Sequence, residues 1–235
     1  MTPEKLKHAL LLAGPTAFLA FHLLVGLASA RNPWWSFWEH AFSDLGGPKA
    51  VDPWVYNYGL VLLGVLFALF SLGLLSASRS KGAAFASGLY FTAGVFLALI
   101  GIYPSGTRPH TFVSTWFYAQ SFLATLALSL ALLHEKRYKP GAALLLLSLS
   151  PAPVAYLVEA LAGWPSVAAI EYFGAAFIAA AAAVATATHW HHPEPPKTPR
   201  GIQGRHTPRN DLTPARSAPL NSSNTAQPQP NLILL

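Results

Sequence analysis

The feature that most constrains this chain is a series of six apolar runs, each about as long as a bilayer is thick. A transmembrane helix needs about 20 mostly apolar residues. The six runs cover residues 8–28, 54–76, 83–103, 112–133, 142–161 and 167–188. They are continuous rather than alternating, which indicates helices, since only helices and closed barrels satisfy the backbone in hydrocarbon. We therefore predict an all-α, polytopic six-helix transmembrane bundle.

The composition supports a membrane protein. Of the 235 residues, 53% are hydrophobic and 10% are charged, whereas a soluble domain usually carries about 25% charged residues. The net charge of +6 does not indicate a nucleic-acid partner, because the basic residues flank the apolar runs. The chain has no cysteine, which excludes disulfides, thiolate metal sites and cysteine nucleophiles.

The Lys and Arg residues near the ends of the runs predict the orientation, because short cytoplasmic loops retain positive charge. One side of the membrane receives nine of them, namely Lys5, Lys7, Arg79, Lys81, Lys136, Arg137, Lys139, Lys197 and Arg200. The other side receives three, namely Arg31, Lys49 and Arg108. We therefore predict a multi-pass protein of the cell membrane with both termini in the cytoplasm. As an alternative, Ala28-Ser29-Ala30 resembles a signal-peptide cleavage site, although the first run exceeds the usual apolar region of about 7–15 residues.

Two segments depart from uniform spans. Pro151 and Pro153 lie in the middle of the fifth run, where each proline removes a backbone donor, so we predict a kink there. Residues 189–235 are rich in Pro, Ser, Asn and Gln and contain few apolar residues. Such a segment buries too little surface to offset its chain entropy. We therefore predict a transmembrane domain of residues 1–188, followed by a disordered, Pro-rich cytoplasmic tail.

The polar residues of the predicted bundle collect at its extracytoplasmic end. Those of the predicted external loops and adjoining helix ends include Glu39, His40, Ser43, Asp44, Asn57, Tyr103, Arg108, His110, Glu159 and Glu171. The opposite halves of the helices carry little besides serines. A charged side chain inside a bilayer costs at least about 2.5–3.5 kcal/mol, so it is retained where it is paired, hydrated or useful. The asymmetry predicts a polar site at the external face.

Glu171 and His22 are the two polar residues that we expect within the membrane. Glu171 lies about one turn inside its predicted helix, where Arg108 or His110 is the expected partner. Its role is functional, or it forms a structural ion pair, or its side chain simply snorkels to the membrane surface. His22 lies about 10 Å below the outer surface, and we expect it to be a neutral histidine hydrogen-bonded between helices.

The segment NPWWSFWEHAFSDLGG has the pattern of a short interfacial helix in the first external loop. Trp34, Trp38 and Phe42 recur at four-residue spacing, and Glu39 and His40 lie on the other side. Tryptophans are enriched in the headgroup region of membranes. We therefore predict that the aromatic residues face lipid and that the polar side faces the mouth of the bundle.

Several short motifs in a fixed order resemble a known family. They are Ser43-Asp44-Leu45-Gly46, Asn57 with Gly59-Leu60, Tyr103-Pro104 and His110. Over residues 8–188 the chain resembles the small integral membrane proteins grouped as domain of unknown function 998, best known from archaea. This resemblance implies no established activity. A more distant likeness, carried by Ser43, Asp44 and Gly46, is to the six-span Frag/DRAM/Sfk group, whose members are linked to lipid remodelling and autophagy.

Three functions fit these residues. The first is lipid handling or a membrane-embedded, hydrolase-like activity, for which the candidate catalytic residues are Asp44, His110, Glu171 and Ser43. The candidate binding residues are Glu39, Asn57, Arg108 and Glu159. The second function is a non-enzymatic scaffold that binds a partner or lipid, and the third is a small-solute transporter. Whether the protein is an enzyme stays open.

The expected cofactors and partners follow from the same residues. Carboxylates and imidazoles also ligate metals, so a divalent cation is compatible with the set, although its spacing matches no metal signature. Membrane lipids are the expected partners, and Arg108 suits a lipid phosphate. We expect neither haem nor a nucleotide cofactor, because facing histidine pairs and a glycine-rich loop after a strand are lacking in the sequence.

Overall fold

The computed structural model of the chain describes residues 1–190, so most of the predicted tail lies outside the described residues. Seven α-helices and one short 3₁₀ helix, Phe42–Gly46, form the described part, which contains no strand. The α-helices are α1 Pro3–Arg31, α2 Pro53–Ala77, α3 Lys81–Ile102, α4 His110–His134, α5 Tyr138–Leu149, α6 Pro151–Leu161 and α7 Val167–Trp190.

Six helical segments are long and apolar enough to cross a membrane. They are Pro3–Arg31, Pro53–Ala77, Lys81–Ile102, His110–His134, Tyr138–Leu161 and Val167–Trp190. The fifth segment comprises α5 and α6 together. These segments confirm the predicted all-α, six-span transmembrane bundle.

Two helices, α1 and α3, begin at polar caps that lie just outside the apolar runs. The Thr2 hydroxyl accepts a hydrogen bond from the Lys5 amide at 3.4 Å, and the Ser80 hydroxyl accepts one from the Ala83 amide at 3.2 Å. Such side chains satisfy amides that have no partner inside the first turn. The caps explain why α1 and α3 begin earlier than the apolar runs alone predict.

Small residues allow the helices to approach closely. A Cβ atom on Gly64 of α2 would lie 2.6 Å from the carbonyl oxygen of Gly94 on α3, so any larger residue would force the two helices apart. On α7, Ala181, Ala182 and Ala185 are each at most 1% exposed. Close packing of small residues is a main source of helix association in membranes.

The fifth span is broken where its prolines predict a kink. α5 ends at Leu149 and α6 begins at Pro151, because a proline nitrogen cannot donate to the preceding turn. α6 buries only Pro151, and Tyr156 and Leu161 are 76% and 77% exposed. The α6 half of this span therefore leaves most of its surface to lipid.

We call the end of the bundle formed by residues 32–52, 103–109 and 162–166 the site end. The predicted short helix in the first of these loops is present, but it is the 3₁₀ helix Phe42–Gly46 and not a helix of the tryptophans. Trp34 and Trp38 lie in turns. The indole Nε1 of Trp35 donates to the Ala41 carbonyl at 2.8 Å, which folds the aromatic segment back on itself.

The opposite end of the bundle holds a small polar network. Arg137 donates to the Thr188 carbonyl of α7 at 2.6 Å, and the Ser80 hydroxyl donates to Glu135 at 2.6 Å. Partial burial lowers the pKa of Arg137 from its ordinary value, and the nearby Glu135 carboxylate acts in the other direction. The Arg137 contact joins the start of α5 to α7, a role that the sequence analysis did not give to Arg137, and the Ser80 contact joins the start of α3 to the end of α4.

Candidate functional site

A partly open cavity of about 100 Å³ lies among α1, α2, α3, α4 and α7. Its polar lining consists of Ser43, Tyr56, Ser114, Tyr118 and Glu171, all from the site end of their elements. The remaining walls are apolar and extend to Phe67 on α2 and Ala182 on α7. Those two residues lie about 16 Å farther along their helices than Tyr56 and Glu171, at about 1.5 Å per residue. The cavity is therefore apolar along its length and polar at one end.

Glu171 lies at this polar end in the second turn of α7. Its Oε2 atom accepts a hydrogen bond from the Phe42 amide at 2.8 Å. The Tyr118 hydroxyl donates to the Glu171 carbonyl at 3.0 Å, which joins α4 to the same turn. The structure assigns no hydrogen bond to Oε1 within residues 1–190. Tyr56 and Asp44 are each close enough to the Glu171 carboxylate to interact with it electrostatically.

The predicted pairing of Glu171 with Arg108 or His110 is wrong. Arg108 is exposed. Residues 1–190 form the ion pairs Arg31–Asp52 and Arg137–Glu135, neither of which involves Glu171. The 3₁₀ helix places the free Phe42 amide beside Glu171, so a backbone donor takes the position expected for a cation. Amides in the first turn of a helix lack partners within that helix, which makes them available for such a contact.

Three hydrogen bonds fasten the first loop to the beginning of α7. The Ser166 hydroxyl donates to the Phe37 carbonyl at 2.6 Å, and the Ala168 amide donates to the His40 carbonyl at 2.9 Å. The Phe42–Glu171 contact is the third. His40 therefore contributes its backbone, while its ring lies edge-on to Trp34 at a centroid distance of 5.2 Å.

Ser43 and Asp44 lie in the 3₁₀ helix and have different roles. Ser43 lines the cavity, and its hydroxyl has no hydrogen bond in the described part of the chain. Asp44 accepts the Ala41 amide through Oδ2 at 3.0 Å and so caps the 3₁₀ helix. Capping carboxylates of this kind stabilise a helix start. The structure thus gives Asp44 a local structural contact beside the cavity.

Asn57 connects the same loop to α2. Its side-chain amide donates to the Gly46 carbonyl at 3.0 Å. A Cβ atom on Gly46 would lie 2.0 Å from the Asn57 Oδ1 atom. Glycine is required at this position because the amide occupies the space that a side chain would need.

The other predicted site residues lie away from the cavity lining. The His110 ring Nδ1 donates to the Tyr103 carbonyl at 2.8 Å and closes the loop between α3 and α4. Glu159 is exposed and accepts the Trp164 amide at 3.3 Å, and Glu39 is exposed as well. Residues 1–190 contain no group of three His, Cys, Asp or Glu side chains placed to hold a metal ion.

His22 has the bonding that we expected of it. Its Nδ1 donates to the Phe18 carbonyl at 2.8 Å, and its Nε2 lies 3.2 Å from the Tyr172 hydroxyl. A neutral ring satisfies both contacts if the Tyr172 hydroxyl donates. The histidine thus links α1 to α7.

Three important residues were missed by the sequence analysis. Tyr56 and Tyr118 line the cavity, but in the sequence they are two tyrosines among many aromatic residues. Asn32 is 1% exposed and makes hydrogen bonds to the Ala28 carbonyl, to both the amide and the carbonyl of Val51, and to the Trp34 indole. An asparagine four residues after the end of the first apolar run was the available signal for this loop anchor.

The model of one family, described as "Protein of unknown function (DUF998)", matches residues 12–188. The chain belongs to this family. The match covers all six spans of this DUF998 member except the first part of α1 and the last two residues of α7. No curated protein and no solved structure is similar enough to the chain to count as a match.

Proposed function

We propose that this DUF998 protein binds an amphipathic small molecule in the cavity. The apolar part of the ligand lies among α1, α2, α3, α4 and α7, and its polar group lies against Glu171, Tyr56 and Ser43. The observation that carries the proposal is the cavity itself, which is apolar except at one end. Ligand pockets typically combine apolar walls with a few polar groups that fix orientation.

The size of the cavity sets the size of the enclosed part of the ligand. An apolar cavity of about 150 Å³ in another protein holds benzene. A cavity of about 100 Å³ therefore encloses a short hydrocarbon segment of about four or five non-hydrogen atoms. A longer chain continues through the open side, as a membrane lipid would.

Binding is better supported than hydrolysis. A serine nucleophile needs a general base within hydrogen-bonding reach. His110 bonds to Tyr103, and Asp44 caps the 3₁₀ helix. Ser43 has no hydrogen-bonded base within the described residues. We therefore assign it to the polar lining of the cavity and not to the role of a nucleophile.

We further propose that the site end faces the outside of the cell membrane and that both termini are cytoplasmic. The support is the charge distribution, since nine Lys and Arg residues flank the opposite ends of the spans and three flank the site end. The ligand would then come from the outer leaflet or from the outside medium.

Measurement of lipid retained by the purified full-length protein tests the binding proposal. Ala179 lines the cavity, whereas Ala183 is exposed on the same helix. A179F should reduce retained lipid about tenfold relative to the A183F control. The phenyl ring would keep about two CH₂ groups of the ligand out of the cavity, and each of them contributes about 0.8 kcal/mol to binding. Equal retention by the two variants, quantified by mass spectrometry after extraction, would contradict the proposal.

A further inference from the structure

We infer that the polar group recognised in this cavity is an ammonium, which makes the ligand an alkylamine or an amine-headed lipid. The inference rests on the proposed function and specifies its ligand class. The geometry that carries it is the set of acceptor atoms around Glu171.

The charge of the lining favours a cation. Glu171 is a carboxylic acid, and no Lys, Arg or His is among the residues that line the cavity. The nearby Asp44 adds a second acidic group. A ligand carboxylate or phosphate would face these acids without a compensating cation, whereas an ammonium would complement them.

The hydrogen-bonding inventory gives the same answer. Tyr56, Ser43 and the Oε1 atom of Glu171 present three oxygens to which the structure assigns no hydrogen bond within residues 1–190. Among these residues no fully buried side-chain oxygen lacks a partner, so the three oxygens border open space. An ammonium has three donors and no acceptor, an alcohol has one donor, and a carboxylate has none. The hydroxyls of Tyr56 and Ser43 can donate as well as accept, so the acidic lining decides between ligands: an ammonium complements Glu171 and has one donor for each of the three oxygens.

The burial of Glu171 strengthens the need for such a ligand. A carboxylate within a membrane is costly unless it is paired or hydrogen-bonded. The Phe42 amide supplies one donor to Oε2. Within the described residues, no side-chain cation shares this carboxylate. A bound ammonium would supply the opposite charge.

A series of probes that share one chain and differ in head group tests the inference. Hexylammonium, 1-hexanol and hexanoate are titrated into the full-length protein in phosphatidylcholine nanodiscs, and empty nanodiscs correct for partitioning. Hexylammonium should bind about tenfold or more tightly than 1-hexanol, and hexanoate should bind most weakly. Equal affinity for all three probes would overturn the inference.

Variants identify the group responsible for the preference. E171Q retains an oxygen for the Phe42 amide but loses the charge, so its affinity for hexylammonium should fall to that for 1-hexanol. E159Q is the matched control, because Glu159 is an exposed glutamate outside the cavity lining. Should E171Q fail to accumulate, Y56F provides the test and should weaken hexylammonium more than 1-hexanol. An unchanged preference in the Glu171 or Tyr56 variant that folds would contradict the inference.

The same titrations separate this inference from the binding proposal. If A179F weakens all three probes equally and they show no head-group preference, the cavity binds ligands but the ammonium inference is wrong. If the unmodified protein binds no probe above the nanodisc background, the binding proposal itself is wrong.

One further arm identifies the source of the amine. Replacing a third of the phosphatidylcholine with phosphatidylethanolamine introduces an amine-headed lipid. A fall in the apparent affinity for hexylammonium would show that the lipid competes for the cavity and is the ligand source. An unchanged affinity would assign the site to a free alkylamine from the medium.

Discussion

At the scale of single residues, the four residues of the motif Ser43-Asp44-Leu45-Gly46 have different structural roles. Ser43 borders the cavity, Asp44 caps the 3₁₀ helix and Leu45 is fully buried. Gly46 leaves room for the side chain of Asn57. The motif therefore builds and positions the loop over the cavity, and of its four residues only the serine lines the cavity.

Substitution of Gly46 tests whether this glycine is needed to make room for the Asn57 side chain. G46A should lower the free energy of unfolding by about 1–3 kcal/mol, because the added Cβ overlaps the Asn57 amide. G26A is the matched control: nothing lies within 4 Å of a Cβ at that position in α1, so we expect no loss of stability. Thermal unfolding of the purified proteins measures both effects.

The Gly46–Asn57 contact also predicts non-additivity. The double variant G46A/N57A removes the amide that the new methyl group would overlap, so it should lose less stability than the two single losses combined. If G46A is as stable as G26A, the contact between the loop and α2 is not as described.

At the scale of elements, the loop of residues 32–52 and the beginning of α7 form one unit. The carbonyls of Phe37 and His40 and the amide of Phe42 all bond to residues 166–171. The Phe42–Glu171 bond joins residues 129 positions apart. This long-range bond gives the loop its position over the cavity.

Amide hydrogen exchange tests the unit. E171A leaves the Phe42 amide without its acceptor, at a cost of about 1–3 kcal/mol, so amides of residues 37–46 should exchange faster. E171Q keeps an acceptor and should leave exchange near that of the unmodified protein. Equal exchange in E171A and the unmodified protein would show that Glu171 does not hold the loop.

The sequence was sufficient to predict the spans but not the loop contacts. Each span is a local property, since a continuous apolar run and a proline pair such as Pro151 and Pro153 determine helices and kinks without reference to other segments. The four-residue spacing of Trp34 and Trp38 suggested a helix. Hydrogen bonds that involve the Asn32 side chain and the Trp35 indole stabilise turns instead.

The candidate site was predicted in part for the same reason. The position of Glu171 near the end of its helix follows from the sequence. The sequence analysis named it as a candidate site residue, and it lines the cavity. Its partner did not follow, because the Phe42 amide is a backbone group with no signature in the sequence. The cavity role of Tyr56 and Tyr118 depends on how five helices pack, which no local pattern encodes.

At the scale of the whole molecule, the proposed orientation can be tested cleanly because the chain has no cysteine. Lys49 lies at the site end and Lys139 at the opposite end, and both are exposed. K49C should react with a membrane-impermeant maleimide on intact cells, whereas K139C should react only after lysis. The reverse pattern would place the cavity's polar end in the cytoplasm and exclude a ligand from the outer leaflet.

The proposed binding requires that a hydrocarbon chain enters the bundle, and photocrosslinking with a diazirine-bearing hexylamine would detect that chain. Adducts are expected on cavity residues within reach of a hexyl chain whose ammonium lies at Glu171, such as Leu60, Phe117 and Ala175, and excess hexylammonium should suppress them and A179F should remove them. Adducts that are confined to lipid-facing positions such as Tyr156 and Leu161 and that do not respond to competitor would contradict the proposed binding.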